Sequence, residues 1–458
     1  MVEVAPPITT VTGASVYNSD GTAIAALTNV YATMSTGGLY VGRNGLSEYA
    51  GLSADELTLY DGVPVSSTLS YYYTNKLFVG GTSSAGTELW SPNYNFLFLV
   101  NSAIESLNAA NSLTPSIKQQ LLGESYFLRA FFYFHLVNLF GDIPMPLTSN
   151  YKTNESLHKM PQSQIWQQII ADLKNSQSLL NANYLDGTLL STTTERVRPT
   201  KGAATALLAR AYLYTASYDS AQIQATNVIN NATLYSLDTL NGVFLKNSNE
   251  AIWQLQPVQA GWNTPDAEVF IIPSTGPTNG SWPVYLSSSL LGSFEPGDQR
   301  RLQWVDSVVA AGNTYYYPFK YKSATFGNPV TEYEMMLRLG EQYLIRAEAE
   351  ANGATGGIAS AIADLNMIRN RAGLQPYIGN TGQEDILHAI LHERQVELFT
   401  ELGHRWLDLK RTSLVDSIMA SVTPVKAAGA PWRPFQQIYP LPIKDLETDP
   451  NLNQNTGY

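Results

Sequence analysis

The sequence predicts a mainly α-helical protein of paired helices, with long irregular loops and little β-structure. Period, recurrence and composition support this. Apolar residues recur at helical spacing throughout residues 117–140, as on a helix buried on most sides. An Ala-rich helix, a turn and a second amphipathic helix recur at 199–231 and again at 336–371. Residues 34–90 and 255–333 are instead rich in Gly, Ser, Thr, Pro, Tyr and Trp and hold no sustained helical period. Loops this long in a compact protein usually carry function or local folds of their own.

Each helix follows from local chemistry. In "IKQQLLGESYFLRAFFYFHLVNLF" (117–140), Leu121, Tyr126, Phe127, Ala130, Phe131, Phe134, Val137 and Leu139 form a wide apolar stripe. Gly141 stands where the helix should end, and Pro144 follows. Another helix fits 162–184. At 199–231, Thr200 is the expected N-cap. The small Ala203, Ala204, Ala209 and Ala211 let helices approach closely, and Tyr212, Tyr218, Ala221 and Ala225 occupy interlocking positions. The third pattern breaks at "NGATGG". Helical hairpins recurring at this size look like tetratricopeptide-type repeats.

Composition narrows the function classes. The chain has 458 residues, 44 % of them hydrophobic, enough for a large core. Only 14 % are charged, below the usual quarter, so neutral polar groups and 27 tyrosines must cover much of the surface. The net charge of −11 and the lack of any basic run speak against nucleic acid as the main ligand. With no cysteine there is no disulfide, Cys-ligated zinc or thiol nucleophile. No apolar run is long enough to span a bilayer. "MVEVAPPITT" shows neither the positive nor the apolar region of a signal peptide. That fits a cytoplasmic chain, or a mature one whose leader has been removed.

Several segments together resemble one family. "GESYFLRAFFYFHLVNLFGDIPMPL" (123–147), "RPTKGAATALLARAYLY" (198–214), "LRLGEQYLIRAEAEA" (337–351), "LNMIRNRAGL" (365–374) and "ERQVELFTELGHRWLDLKRT" (393–412) occur in its order. The tail "YPLPIKDLETDPNLNQNTGY" (439–458) resembles its closing motif, with Asp449 where Asn is usual and Thr456 where Pro is common. On these motifs the chain is identified as a member of the SusD/RagB family of outer-membrane nutrient-binding lipoproteins. Residues 1–84 and 255–333 match it poorly, so the ligand is expected there.

The resemblance implies one composite unit over 1–458: helical pairs in 85–254, a loop-rich ligand-side insertion in 255–333, and further pairs with the tail in 334–458. It implies about four tetratricopeptide-like pairs. It implies a lipid anchor on the outer leaflet, its cysteine lost with the leader, and a TonB-dependent (SusC-like) transporter as partner. It implies capture of oligosaccharide or polysaccharide without chemistry, or of peptide in the RagB branch. No cofactor is expected. The acidic balance favours a neutral glycan over uronate-rich or sulfated ones.

Residue by residue, no Gly-x-Ser-x-Gly elbow, Walker loop or dinucleotide fingerprint appears. His388 and His392 are spaced to share a metal, but a solvated helix face explains them better. Asp445, Glu447, Asp449, Asn451 and Asn453 alternate like a calcium loop, yet Pro450 stands where Gly is needed and Thr456 where a bidentate Glu is needed. Thus no metal site is expected. Glu124, Arg129, Arg346, Glu348, Arg394, Glu397, Arg405 and Asp408 are read as ion pairs between helices. Trp406 is read as packing.

The loop aromatics Tyr71–Tyr73, Trp90, Trp262, Trp282, Tyr285 and Tyr315–Tyr317 are the candidates for ligand contact. A sugar face packs its C–H groups on an aromatic ring, each stack worth about 1–2 kcal/mol. Among them, Tyr72, Trp90, Trp262, Trp282, Tyr285 and Tyr316, together with Asn93, form the expected ligand set. Ser91 is a good N-cap with Pro92 at N1, which makes Trp90 the N′ residue. Its staple partner would be Asn95, which is polar, so local packing does not explain the ring. The resemblance implies a glycan-gripping role for Trp90 and Asn93. A glycan-cleaving enzyme and a helical-repeat adaptor remain as alternatives from other classes.

Overall fold

The computed structural model describes residues 16–80 and 83–458. Helix α1 spans Asp20–Ser35, α2 Leu46–Ser53, α3 Trp90–Ala109, α4 Pro115–Phe140 and α5 Gln162–Leu179. Then come α6 (Lys201–Tyr214), α7 (Tyr218–Ile229), α8 (Pro265–Phe270), α9 (Leu339–Ala351), α10 (Gly357–Arg371), α11 (Gln383–Glu397) and α12 (His404–Arg411). The strands are short: β1 Leu57–Leu59, β2 Ala251–Leu255, β3 Val284–Leu286, β4 Val305–Ala310, β5 Asn313–Pro318 and β6 Glu334–Arg338. They form two-stranded sheets: β1 with β3, β2 with β6, β4 with β5. The fold is mainly α with little sheet, as the sequence predicts.

The scaffold is a row of helices, each packed on the next: α3 on α4, α4 on α5, α5 on α6, α6 on α7, α7 on α9, and α9 on α10. Helix α4 is the spine. Its last sixteen residues, 125–140, are nearly all buried, which is why its apolar stripe is so wide. It stops at Gly141, whose φ of +77° a side chain would strain. Thr200 caps α6 by accepting from the Ala203 N–H at 3.3 Å. Ala203, Ala204, Ala209 and Ala211 are fully buried against neighbouring helices. Between α9 and α10 the chain turns through Gly353 and Gly356, both at positive φ. The helix expected over 162–184 ends at Leu179, and Tyr184 is buried beyond it.

The charges on the helices join neighbouring elements. Arg129 pairs with Asp172, Arg198 with Glu124, Arg346 with Asp364, Arg394 with Asp408, Arg405 with Asp55, and Arg411 with Glu348. The largest group surrounds Glu397. Arg338, at the end of β6, donates to Glu397 at 2.6 Å, Glu250 at 3.0 Å and Glu401 at 2.7 Å. Arg371 joins Glu250 at 2.5 Å and also Glu397, and Arg300 reaches Glu397 at 2.9 Å. Burial raises the Glu397 pKa, but Arg371, Arg338 and Arg300 outweigh it and hold the carboxyl well below its ordinary value. Trp406 is buried in the core.

Strands β2 and β6 pair antiparallel, so residues 256–333 leave and re-enter the scaffold side by side. Within that segment β4 and β5 form a hairpin that the sequence reading did not contain. Its two-residue turn is Ala311–Gly312, both at positive φ. Alanine is rare at such a position, so the usual turn signal is missing.

Glu397→Ala would leave several buried guanidiniums short of an acceptor. The expected loss in unfolding free energy is about 3–5 kcal/mol, read from guanidinium titration. A loss of about 1 kcal/mol or less would mean that Glu250 and Glu401 hold the arginines without it.

Candidate binding cleft

Three of the expected ligand residues lie inside the protein. Trp90 is 2 % exposed. The α3 helix begins at Trp90 itself, with Leu89 as N-cap, not after Ser91. Pro92 still falls in the first turn, where its missing N–H is not needed. The Trp90 ring lies against Tyr94 and Phe140, and its N–H donates to Asp445 of the tail at 2.7 Å. Asn93 is 1 % exposed; it donates to the Leu89 carbonyl at 2.6 Å and accepts from the Tyr40 hydroxyl. Tyr72 is 0 % exposed, stacked on Tyr49 at 4.0 Å, and donates to Glu88 at 2.8 Å. The expectation that Tyr72 and Asn93 touch ligand is therefore corrected, whereas the Trp90 ring, though 2 % exposed, lines a cavity of about 290 Å³ with Tyr94, Phe98, Asn101 and Asp445. Asp445 and Phe140 reach Trp90, and Tyr40 reaches Asn93, from distant parts of the chain, and each of these side-chain polar atoms has a partner.

Trp262 and Trp282 come together on a cleft of about 620 Å³. Helix α8 forms its floor. Thr264 caps that helix by accepting from the Ala267 N–H at 3.2 Å. Trp262 sits in the turn just before it, where Gly261 has φ +84°. The ring of Phe326, 66 % exposed, stands 5.5 Å from that of Trp262. Trp282 is anchored from the far side, its N–H donating to the Glu268 carbonyl at 3.1 Å.

The opposite wall is the loop after α1, with Gly37, Gly38 and Gly42 at positive φ. At Gly42 a Cβ would stand 2.7 Å from the Pro265 side chain, so only glycine lets the loop touch α8. Arg43 leaves this loop to donate to the Ser281 carbonyl at 2.7 Å. Thr36, Gln259, Ser281 and Thr325 supply neutral hydroxyl and amide groups, with Arg43 and Glu268 as an opposed charge pair.

The other two expected residues lie apart. Tyr285 is half-buried on β3, its ring 5.2 Å from Tyr315. Tyr316 follows Tyr315 on β5, and strand alternation turns it to the opposite face. There the Arg301 guanidinium covers its ring at 4.7 Å. Arg43, Glu268 and Gln259 belong to the cleft although the sequence reading did not select them. Gly37–Gly38 was the one visible sign, since paired glycines mark close backbone approach. His392 places Nε2 2.8 Å from the Ser293 carbonyl. Among the described residues no cluster of metal-ligating side chains occurs, and no helix is long and apolar enough to cross a membrane.

Comparison with known proteins agrees with this architecture. Residues 303–458 match the model of the SusD family, and residues 60–213 match one described as starch-binding and associating with the outer membrane. The chain belongs to the SusD-like family. Two SusD-like proteins of Formosa agariphila are similar to it, at 25 % identity over 84 % of this chain and 83 % of theirs, and at 22 % over 96 % and 93 %. A SusD superfamily protein of Bacteroides vulgatus shares the fold with a TM-score of 0.80 at 23 % identity, covering 96 % of this chain and 99 % of its own. A laminarin-binding SusD-like protein gives 0.76 at 22 % identity over 96 % and 100 %. Surface glycan-binding protein A of Bacteroides uniformis gives 0.78 at 18 % over 95 % and 99 %.

In this SusD-like chain the glycine loop of the cleft is tied down by buried acids. Asp266 accepts from the Gly42 N–H at 2.5 Å, and Glu48 accepts from the Asn44 N–H at 2.7 Å. Burial pushes Asp266 up to about 7, opposed by the Gly42 N–H. Burial likewise pushes Glu48 up to about 7. Glu334 lies beside Asp266 and is raised well above its ordinary value by burial and then by Asp266. A folded-state pKa above the unfolded one means that stability is lost as pH rises from the ordinary carboxyl value through about 7. Buried His135, held at about 3 mainly by burial, acts in the opposite sense below 6.5, so a paired comparison isolates the acids.

Asp266→Asn should gain about 1–3 kcal/mol relative to the parent between pH 5 and pH 8. Urea titrations at the two pH values read the gain, and parallel losses for parent and variant would refute it. Trp90→Ala should cost about 3–5 kcal/mol of unfolding free energy. An unchanged denaturation midpoint would return Trp90 to the surface.

Proposed function

We propose that the protein captures a neutral glycan at the cell surface in the cleft of Trp262 and Trp282. One observation carries this reading: two half-buried tryptophans face one opening, ringed by neutral hydroxyl and amide groups. The rings offer apolar faces to sugar C–H groups, while Thr36, Gln259, Ser281 and Thr325 meet the hydroxyls. Arg43 and Glu268 offset one another, so the cleft favours an uncharged ligand. The names of two neighbours in fold, one laminarin-binding and one surface glycan-binding, support the same class.

In this reading the protein binds without cleaving. It sits on the outer leaflet through a lipid anchor and passes its ligand to a TonB-dependent transporter of the SusC type. Two stacks with several hydrogen bonds give micromolar to millimolar affinity, on the order of −4 to −8 kcal/mol. That suits capture followed by release.

Calorimetry against laminarin, amylose, xyloglucan, galactomannan and galactan tests the ligand class. Trp262→Ala and Trp282→Ala should each weaken binding about 5- to 30-fold, the equivalent of about 1–2 kcal/mol. Unchanged affinity in both variants would move the site elsewhere. Shortened products after prolonged incubation would replace capture by hydrolysis.

A further inference from the structure

Helix α8 has two faces. Pro265, Glu268 and Val269 line the tryptophan cleft. Asp266, Ala267 and Phe270 line an enclosed cavity of about 10 Å³ on the other side, close to the least space that a single water needs. The glycine loop, α2, the end of β5, β6 and the segment before α12 all meet at this cavity. So do two buried carboxyls, Asp266 of α8 and Glu334 of β6. The Asp266 N–H donates to Glu334 at 3.4 Å, and Asp266 Oδ1 accepts from the Gly42 N–H at 2.5 Å. Among the described residues no other helix or strand packs along α8. Its seat is this acid joint, its apolar inner face, and Asn263 just before it, whose amide donates to Ser323 at 3.0 Å.

Among the described residues no cation pairs with either carboxyl. Lys320, the cation on the cavity, is held by Glu401 at 2.5 Å and by the Glu397 and Phe399 carbonyls, each at 2.8 Å. Glu401 is shared with Arg338 at 2.7 Å. Arg43 of the glycine loop turns outward to Ser281. Tyr321 stands beside Glu334, its hydroxyl accepting from the Met335 N–H at 2.8 Å. From α2 comes a third buried acid, Glu48. One of its oxygens accepts from the Asn44 N–H, and the other has no partner among the described residues. On α8 itself Glu268 lies on the cleft side. Adjacent carboxyls in a closed pocket without a cation cannot both ionise cheaply. Burial accordingly pushes Asp266 up to about 7 and Glu334 well above its ordinary value.

We infer that Asp266 and Glu334 form a proton-dependent latch beneath the tryptophan cleft. While the pair keeps its protons, α8 and the glycine loop stay seated and the cleft is formed. When the pair ionises, the two segments loosen together. Unseating α8 admits water to the carboxyls and returns them to ordinary acidity, so the unseated state gains as protons are lost. The seated state therefore weakens as pH rises through about 7 and strengthens as it falls. The consequence, tighter capture in mild acid and easier release above neutrality, rests on the proposed glycan reading, whereas the latch itself does not.

Hydrogen exchange of the full chain between pH 5.5 and pH 8, followed by mass spectrometry and corrected for intrinsic rates, tests the latch without any ligand. Residues 36–48 and 262–272 should lose about tenfold or more of their protection over this range, within the roughly hundredfold that one proton allows. Residues 125–140 of α4 should stay protected throughout. Protection that does not change with pH in the two segments, or that is lost only together with α4, would overturn the latch in the parent protein alone. The double variant Asp266→Asn/Glu334→Gln keeps the shapes and removes the protons. It should hold both segments protected at pH 8 as at pH 5.5. A response that survives in full there belongs to Glu48 or Glu268 and also overturns the latch. Calorimetry with whichever of the five polymers binds should show affinity about threefold or more weaker at pH 8 than at pH 5.5 in the parent, and equal at both in the double variant. Exchange that follows pH with an affinity that does not would overturn the coupling to the cleft. A working latch with no polymer bound at either pH would sink the glycan reading instead.

Discussion

Glu397 and the three arginines around it connect the parts of the chain that must agree. Arg338 ends β6 and caps α9, Arg371 ends α10, and Arg300 comes from the loop-rich segment. The carboxylate lies at the C-terminal end of α11. A buried carboxylate is costly unless paired, and so is each buried guanidinium. The arrangement therefore tolerates little displacement of any member. It fixes where β6 leaves the scaffold, and through the β2–β6 pair it fixes where the loop-rich segment begins and ends.

That segment has few helices of its own to hold it. Its order comes from short contacts of different kinds: strand pairs, glycines pressed against side chains, and buried acids that accept from loop N–H groups. Asp266 and Gly42 join α8 to the loop after α1, and Gly276 joins the Trp282 loop to the β4–β5 hairpin. Both contacts depend on the absence of a side chain at the glycine. The cleft is thus built from rigid joints between irregular pieces, which lets exposed rings keep fixed positions without a helix beneath each one.

Much of the scaffold was legible. Thr200 capping α6, Gly141 ending α4, and the buried alanines of α6 follow from chemistry within a few residues of each position. The paired charges were legible as a class, since Arg and Glu on buried helix faces need partners, although which partner each one takes was not. The site was legible only as a set of aromatic candidates. Trp262 and Trp282 meet, but Tyr72, Trp90 and Asn93 are buried, and Tyr315 rather than its neighbour Tyr316 joins Tyr285. Trp90 shows why. Its N–H partner Asp445 lies 355 residues away, and nothing within a helical turn of Trp90 signals that contact.

The amino-acid sequence by itself determined the helical pairs, their caps and stops, the ionic character of their packing and the family. These depend on period and on neighbours within a few positions, where the geometry of the backbone relates spacing directly to contact. Only the tertiary structure decided which aromatic rings face solvent. That choice turns on strand register, on where the tail folds back, and on glycine contacts between segments more than two hundred residues apart, as at Gly42 and Pro265. Such contacts follow from the whole packing arrangement, and no local spacing encodes them.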